Sequence, residues 1–212
     1  MLWILGAGGH GRVVADAARA SRHWQSICFF DDARQAGEVV GGWPVAGDTE
    51  HFLEAAGSAE APQRHVALGD NARRDELLRR CERLGLALAT VIHPAAVVSP
   101  EARLSAGCFV AAGAVLAPGA ELGVGVIVNH LASVDHDCRL GRGVHVGPGA
   151  VLGGEVTVGA RAWVGIGASV RHRVRIGADA LLGAGAVVVA EVAENIQVVG
   201  NPARPMARRQ HA

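Results

Sequence analysis

The stretch VDHDC, residues 134–138, sets one imidazole between two carboxylates, with His136 flanked by Asp135 and Asp137. A His beside an acid is the smallest apparatus for general-base catalysis. The carboxylate takes the N–H of one ring nitrogen and fixes the tautomer, and the other nitrogen is left to accept a proton. Asp137, directly after the ring, is the acid assigned that holding role. An unperturbed imidazole titrates at ~6.5, which suits a base working near neutral pH. A second stretch with chemical content is GAGGHG, residues 6–11, which fits G-x-G-x-x-G through Gly6, Gly8 and Gly11. Asp31 and Asp32 follow about twenty residues later, the spacing of a dinucleotide fingerprint. Glycines in such a turn let backbone N–H groups approach a phosphate at a helix N-terminus, and the carboxylates accept hydrogen bonds from ribose or base.

These residues need elements to hold them. Residues 1 to about 90 read as alternating strand and helix: LWILG, then the helical RVVADAARA, then SICFFDD, then HVALGDN, then the amphipathic ARRDELLRRCERLG. That alternation predicts a small parallel α/β sheet with a Rossmann-like start. Only one mononucleotide half fits before residue 90, so a nucleotide-sugar suits the space better than NAD. From Ile92 onward the pattern changes. Every sixth residue from Ile92 to Val188 is Ile, Leu or Val, seventeen positions without a slip, and four residues after each stands Ala, Cys or Val. A period of six matches neither a helix nor an alternating strand. It matches a parallel β-helix of triangular coils, three hexads to a coil, with aliphatic residues inward and small ones at the corners. Successive coils stack at about 4.8 Å, so residues eighteen apart form columns. His136 then shares a column with Gly154 and His172, and Gly154 leaves bare backbone beside the ring. Cys138 falls on a corner and is expected to face inward.

Composition removes several classes of function. Lys plus Arg equal Asp plus Glu, so nothing points to nucleic acid or an anionic membrane surface. Tyr is absent and aromatics are few, which argues against base-stacking surfaces. The four cysteines, Cys28, Cys81, Cys108 and Cys138, show no metal spacing, and scattered thiols fit a reducing, cytoplasmic setting. The apolar start MLWIL is read as a buried strand rather than a signal peptide, and no apolar run is long enough to predict a membrane span. The basic end RPMARRQHA is expected to fray.

The six-residue repeat resembles the hexapeptide-repeat acyltransferases, whose fold is a left-handed parallel β-helix. The hand comes from that resemblance, since strand-crossover rules alone favour the right hand. VVGNPARP, residues 198–205, is similar to the exit sequence of those enzymes. With GAGGHG, FFDD, GWPVAG and LGDN ahead of the repeat, nearly the whole chain resembles the sialic acid O-acetyltransferase and nucleotide-4-amino-sugar N-acetyltransferase family. The resemblance implies a nucleotide-sugar-binding domain over residues 1–90 and an acetyltransferase β-helix with its tail over 91–212. It implies acetyl-CoA as cosubstrate, no metal, and a homotrimer with sites shared by neighbouring subunits. It places the nucleotide on Gly8, Gly9, His10, Asp31, Asp32 and Gly69, the catalytic base at His136, and acetyl-CoA contacts at His145, Ile166 and Ala184. Related chains often carry Gly where Ala184 stands. The bare backbone at Gly154 then becomes a path for the pantetheine arm, and RHRVR, residues 171–175, is either a partner for the CoA phosphates or a solvated rim.

The implied reaction moves acetyl from acetyl-CoA to the 4-amino group of a nucleotide-linked amino-deoxy sugar by direct attack. No Ser or Cys pairs with His136 as a nucleophile, so no acyl-enzyme is expected. Three readings compete. O-acetylation of a sialic acid is one. A zinc hydration enzyme on the same fold, similar to γ-class carbonic anhydrases, would use His130, His136 and His145 as ligands, yet His130 and His136 are one hexad apart and belong on different faces. The third is a non-catalytic solenoid that only senses nucleotides. The choice among UDP, GDP and dTDP sugars stays open.

Overall fold

A computed structural model describes residues 1–54 and 61–206. The first part is a five-stranded sheet with three helices. Its strands are β1 (Leu2–Leu5), β2 (Ile27–Phe30), β3 (Val39–Val40), β4 (Trp43–Gly47) and β5 (Gln63–Val66). Its helices are α1 (Gly9–Ser21), α2 (Thr49–Leu53) and α3 (Asn71–Arg83). The sheet order is β3-β4-β2-β1-β5, parallel except for the β3–β4 pair, which is antiparallel. β1 therefore lies between β2 and β5, where the winding reverses. Ligands of open α/β sheets bind at such a switch point, beyond the carboxyl ends of the strands. The GAGGHG turn leaves β1 there, the Asp31–Asp32 pair follows β2, and Gly69 follows β5. The hairpin of β3 and β4, formed around GWPVAG, was not among the elements expected from the sequence.

The second part is a left-handed parallel β-helix of two-residue strands that begin at Val91–Ile92 and recur every six residues to Val187–Val188. Three sheets form the faces of the prism. The first face carries Phe109–Val110, Ile127–Val128, His145–Val146, Trp163–Val164 and Leu181–Leu182. The second carries Val115–Leu116, Ser133–Val134 and Val151–Leu152, and the third Glu121–Leu122, Arg139–Leu140 and Thr157–Val158. Parallel pairs join residues eighteen apart, such as His145 with Trp163. The repeating aliphatic residue points inward, and Val110, Val128, Val146, Val164 and Leu182 share one core with corner residues such as Ala132, Cys138 and Ala150. Each such side chain contributes roughly 1.5–3 kcal/mol on burial. The first coil is the exception, with Ile92 36 % exposed and Val98 and Leu104 half-buried, because no coil lies beneath them. After Val188 the period breaks, and Gln197–Val199 completes the first face before an antiparallel return at Arg204–Pro205.

From Gly107 to Gly185 every corner of the solenoid turns through a residue of positive φ, which Gly supplies without steric cost. Gly107, Gly125 and Gly143 stack at the corner between the third and first faces. That bare strip seats α3: a Cβ on Gly125 would collide with Leu78. The outward side of the first face is apolar at Val91, Phe109 and Ile127, and these pack with Val14, Ala17 and Ala18 of α1. The α/β unit and the solenoid are thus joined through a common core.

Candidate active site

His136 and Asp137 form the turn between the second and third faces, and both are exposed. Asp137 holds the left-handed turn position, φ 56°, that Gly fills at many other corners. Its Oδ2 lies 2.9 Å from Nδ1 of His136. The His136 amide donates to Asp135 Oδ1 at 2.8 Å, which pins the turn itself. The hydrogen bond that Nδ1 donates to Asp137 raises the imidazole pKa above its ordinary value, and the charges of Asp135, Asp137 and Glu155 act in the same direction. The ring lies directly over Gly154, where a Cβ would collide with Nε2 and Cε1. The bare backbone expected beside the base is thus the seat of the imidazole. Cys138 faces inward, donates to the Gly153 carbonyl at 3.2 Å, and has its thiol pushed up to about 11 by burial.

His145 lies on the first face and is buried where α1 covers it. Its ring sits 4.1 Å from that of Trp163, one coil on. Asn129 Oδ1 accepts from the His130 amide, which turns Asn129 Nδ2 toward His145 Nε2 at 3.2 Å. His145 is therefore an acceptor at Nε2 and carries its proton on Nδ1, which has no partner in the chain. Burial, followed by the charge of Arg74, pushes its pKa down to about 3, so the ring is neutral. His10, in the first turn of α1, packs edge-on to Phe109 at 5.4 Å and beside His145 at 6.1 Å. Burial and then the neighbouring His145 lower its pKa to about 3 as well, and its Nε2 is also unpartnered. Buried polar atoms in folded proteins nearly always have partners, so two orphan ring nitrogens side by side fit a bound group.

The glycines of this region separate by what the fold demands. Gly6 has φ +103°, and a Cβ on Gly11 would run into the Gly6 carbonyl. Gly8, Gly9 and Gly69 differ: their φ is not positive and nothing lies within 4 Å of the position a Cβ would take. Among the described glycines only these three are free of any local requirement. Open space at the switch point leaves room for a ligand to touch the backbone.

The aspartates are more committed than the sequence suggests. Asp31 accepts from the Ala7 amide at 2.8 Å and from the Ala33 amide at 2.9 Å, so it closes the glycine-rich loop onto β2. Asp32 accepts from the Thr49 amide and hydroxyl at 2.8 and 2.9 Å. Both carboxylates still line a small cavity of about 180 Å³ with Thr49, Leu68 and Arg73. A cleft of about 280 Å³ runs from Gly69 and Asn71 to Trp163 and Leu181. Another, of about 500 Å³, runs from Gly9 and Arg12 to His93 and His130.

Ile166 and Ala184 are exposed on the corner between the first and second faces, one coil apart and joined by the Gly185 amide to the Ile166 carbonyl at 2.8 Å. The structure therefore brings His10 against His145 on the first face and Gly9 into the cleft with Phe109 and His130, while Ile166 and Ala184 stand at the edge of that face. His136, Asp137 and Gly154 stand on a different corner, across the second face. His130, His136 and His145 likewise fall on two corners and a covered face, and no group of three His, Cys, Asp or Glu able to hold a metal occurs among the described residues. In the basic run, Arg173 pairs with Glu155 at 2.9 Å and Arg175 with Glu191 at 2.6 Å, leaving Arg171 and His172 for any other anion. Asn129 and Arg74 escaped the sequence reading because neither belongs to a repeat position or a motif.

Residues 1–81 match the PglD N-terminal domain family, and residues 155–190 match the bacterial transferase hexapeptide family. No curated protein sequence matches the chain. Among solved structures, the acetyltransferase domain of PglB from Neisseria gonorrhoeae, in complex with acetyl coenzyme A, is 42 % identical, with a TM-score of 0.92 over 97 % of this chain and 98 % of that one. Perosamine N-acetyltransferase from Caulobacter crescentus, in complex with CoA and GDP-perosamine, is 39 % identical, with a TM-score of 0.90 over 97 % of this chain and 96 % of that one. WeeI from Acinetobacter baumannii is 27 % identical, with a TM-score of 0.86 over 97 % and 99 % of the two chains. Identity of 39 % or more to two of these over nearly the full length of both chains, with the same pairing of α/β unit and hexapeptide solenoid, leads to one conclusion: the chain belongs to the family of hexapeptide-repeat sugar acetyltransferases with a PglD N-terminal domain.

Proposed function

We propose that this protein transfers acetyl from acetyl-CoA to the 4-amino group of a nucleotide-linked amino-deoxy sugar, with His136 as general base. The observation that carries the reading is the His136 imidazole, exposed on its turn, tied through Nδ1 to Asp137 and seated on Gly154. That arrangement leaves Nε2 to handle the proton. The nucleotide half binds at the switch point, over Gly8, Gly9 and Gly69 and beside Asp31 and Asp32, with its sugar toward His10. Acetyl-CoA, an activated acyl thioester, binds along the corner of Ile166 and Ala184 beside His145, and the orphan nitrogens of His145 and His10 fit the polar groups of the two ligands. Two relatives support the donor and acceptor classes, since one was solved with acetyl coenzyme A and the other with CoA and GDP-perosamine.

The proton route balances within one site. Nε2 of His136 takes a proton from the acceptor amine as its nitrogen bonds to the thioester carbonyl carbon. The imidazolium, held by Asp137, then returns that proton to the sulfur as the C–S bond breaks. Because His136 stands on a different corner from His145 and His10, the base for one first-face site comes from a neighbouring subunit. Exposed apolar residues on the second face, Val97, Val115 and Val151, with Leu131 and Ile166 beside it, supply the surface for a cyclic homotrimer. Incubation with acetyl-CoA and a panel of UDP-, GDP- and dTDP-4-amino sugars, with thiol release followed, tests the proposal. Acetylation of the amine is expected. Release only with hydroxyl acceptors, or none with any acceptor, would overturn it.

A further inference from the structure

Arg74 has the side chain whose burial the mechanism above leaves unexplained. It is 1 % exposed, and burial lowers its guanidinium pKa to about 10. Its hydrogen bonds run to uncharged oxygens. Nη1 donates to the Leu68 carbonyl at 2.8 Å, Nε to the Gly125 carbonyl at 3.1 Å, and Nη2 to the Gly143 carbonyl at 2.6 Å and to Asn71 Oδ1 at 2.8 Å. Asn71 Nδ2 in turn donates to the Arg161 and Ala162 carbonyls at 2.9 and 3.1 Å. Gly125, Gly143 and Arg161 are eighteen residues apart in sequence, so the pair grips the same corner carbonyl on three successive coils.

That grip has a direction. Two residues beyond each gripped carbonyl the chain enters the first face, at Ile127, His145 and Trp163. At its other end, Arg74 holds the carbonyl of Leu68, the residue before Gly69. A planar guanidinium with its donors in a fixed fork spans such a set of carbonyls in one geometry only, which an ammonium cannot do. Resting on the functional reading above, we propose that Arg74 is a positioning residue for acetyl transfer, setting the height of the nucleotide-holding loop along the solenoid relative to the strand that carries His145. Its charge also disfavours protonation of His10, His65 and His145. Asp75 next to it adds an outer clamp through Arg142, Arg161 and Arg79, which helps to hold α3 against the solenoid.

The test compares Arg74→Lys, Arg74→Met and the milder Asn71→Ala in the intact protein. Binary affinities for acetyl-CoA and for the nucleotide sugar are measured by calorimetry, and kcat at saturation of both. Each half-site survives alone, so both affinities are expected to stay within about threefold of wild type. Misalignment of the two by about 1 Å costs on the order of 10²-fold, so kcat is expected to fall about 10- to 100-fold, least in Asn71→Ala and most in Arg74→Met. Hydrogen exchange is expected to quicken at residues 67–71 and to stay unchanged in the solenoid. Variants with lowered melting temperature but wild-type kcat per folded molecule would show a purely structural residue and overturn the proposal. So would unchanged exchange at residues 67–71, a readout that needs no turnover. Absence of acetyl transfer by the wild type would instead count against the functional reading.

Discussion

At the scale of single residues, the proposed chemistry rests on one imidazole with a raised pKa. A general base must be neutral, so the rate rises with pH through the His136 pKa, and Asp137 places that limb above the ordinary ~6.5. Replacing Asp137 by Asn removes the largest cause of the shift. The limb in kcat/KM is expected to move to lower pH while the plateau drops several-fold, since the ring loses its fixed tautomer. A pH–rate profile checks this, and a limb that stays in place would belong to another group. His136→Ala is expected to lower kcat by ~10²–10⁴-fold with the acetyl-CoA Kd unchanged. The glycines give a second residue-scale test. Gly11→Ala drives a methyl into the Gly6 carbonyl and is expected to lower the melting temperature steeply. Gly9→Ala meets nothing in the chain and replaces a helical Gly, so stability is expected to hold or to rise by about 0.4–1 kcal/mol. Its nucleotide-sugar affinity is nevertheless expected to fall at least tenfold. Equal affinity in Gly9→Ala and wild type would mean that no ligand approaches that backbone.

At the scale of elements, the solenoid turns a local rule into a seat for the base. Each hexad makes the same two-residue strand and turn, so whatever stands eighteen residues on becomes the floor of a side chain. For His136 that floor is Gly154, and Gly154→Ala puts a methyl where the ring lies. His136 is exposed and swings away without disturbing the core, so the melting temperature is expected to stay within a few degrees. kcat is expected to fall about 10- to 100-fold because the base leaves its place. Wild-type kcat in Gly154→Ala would show that the ring works from another rotamer. The helices obey a complementary rule: α1 lies on the apolar outer side of the first face, and α3 on the corner where successive glycines leave no side chains in its way.

At the scale of the whole molecule, the proposed function needs two half-sites that one chain holds on different corners. In the proposed cyclic trimer, the His136 corner of one subunit meets the first-face corner of the next. Mixing two inactive proteins tests that geometry directly. His136→Ala subunits lack the base but keep a nucleotide site, and Gly69→Trp subunits fill the nucleotide site but keep the base. Co-refolded hybrids are expected to regain a substantial part of wild-type activity, and mass measurement is expected to give three copies. A monomer that turns over, or hybrids no better than their parents, would place the whole site within one chain.

Much of this was legible in the residues. The period of six announced the β-helix, its inward positions, its columns and its inward Cys138, because every coil repeats one local geometry and spacing alone decides where a side chain points. The GAGGHG turn, FFDD and LGDN came out at the carboxyl ends of adjacent strands for a similarly local reason, each being the residues that leave a strand. The β3–β4 hairpin was missed because its two strands are short and lack alternation. Other features belong to the tertiary structure alone. That Asp31 ties down the Ala7 amide, that His10 lies against His145, and that Arg74 grips carbonyls 51 and 69 residues away all depend on how the α/β unit is set down on the solenoid. Those contacts join groups far apart in sequence through burial and backbone hydrogen bonds. No spacing or motif encodes such a docking, and only the packed fold brings its partners together.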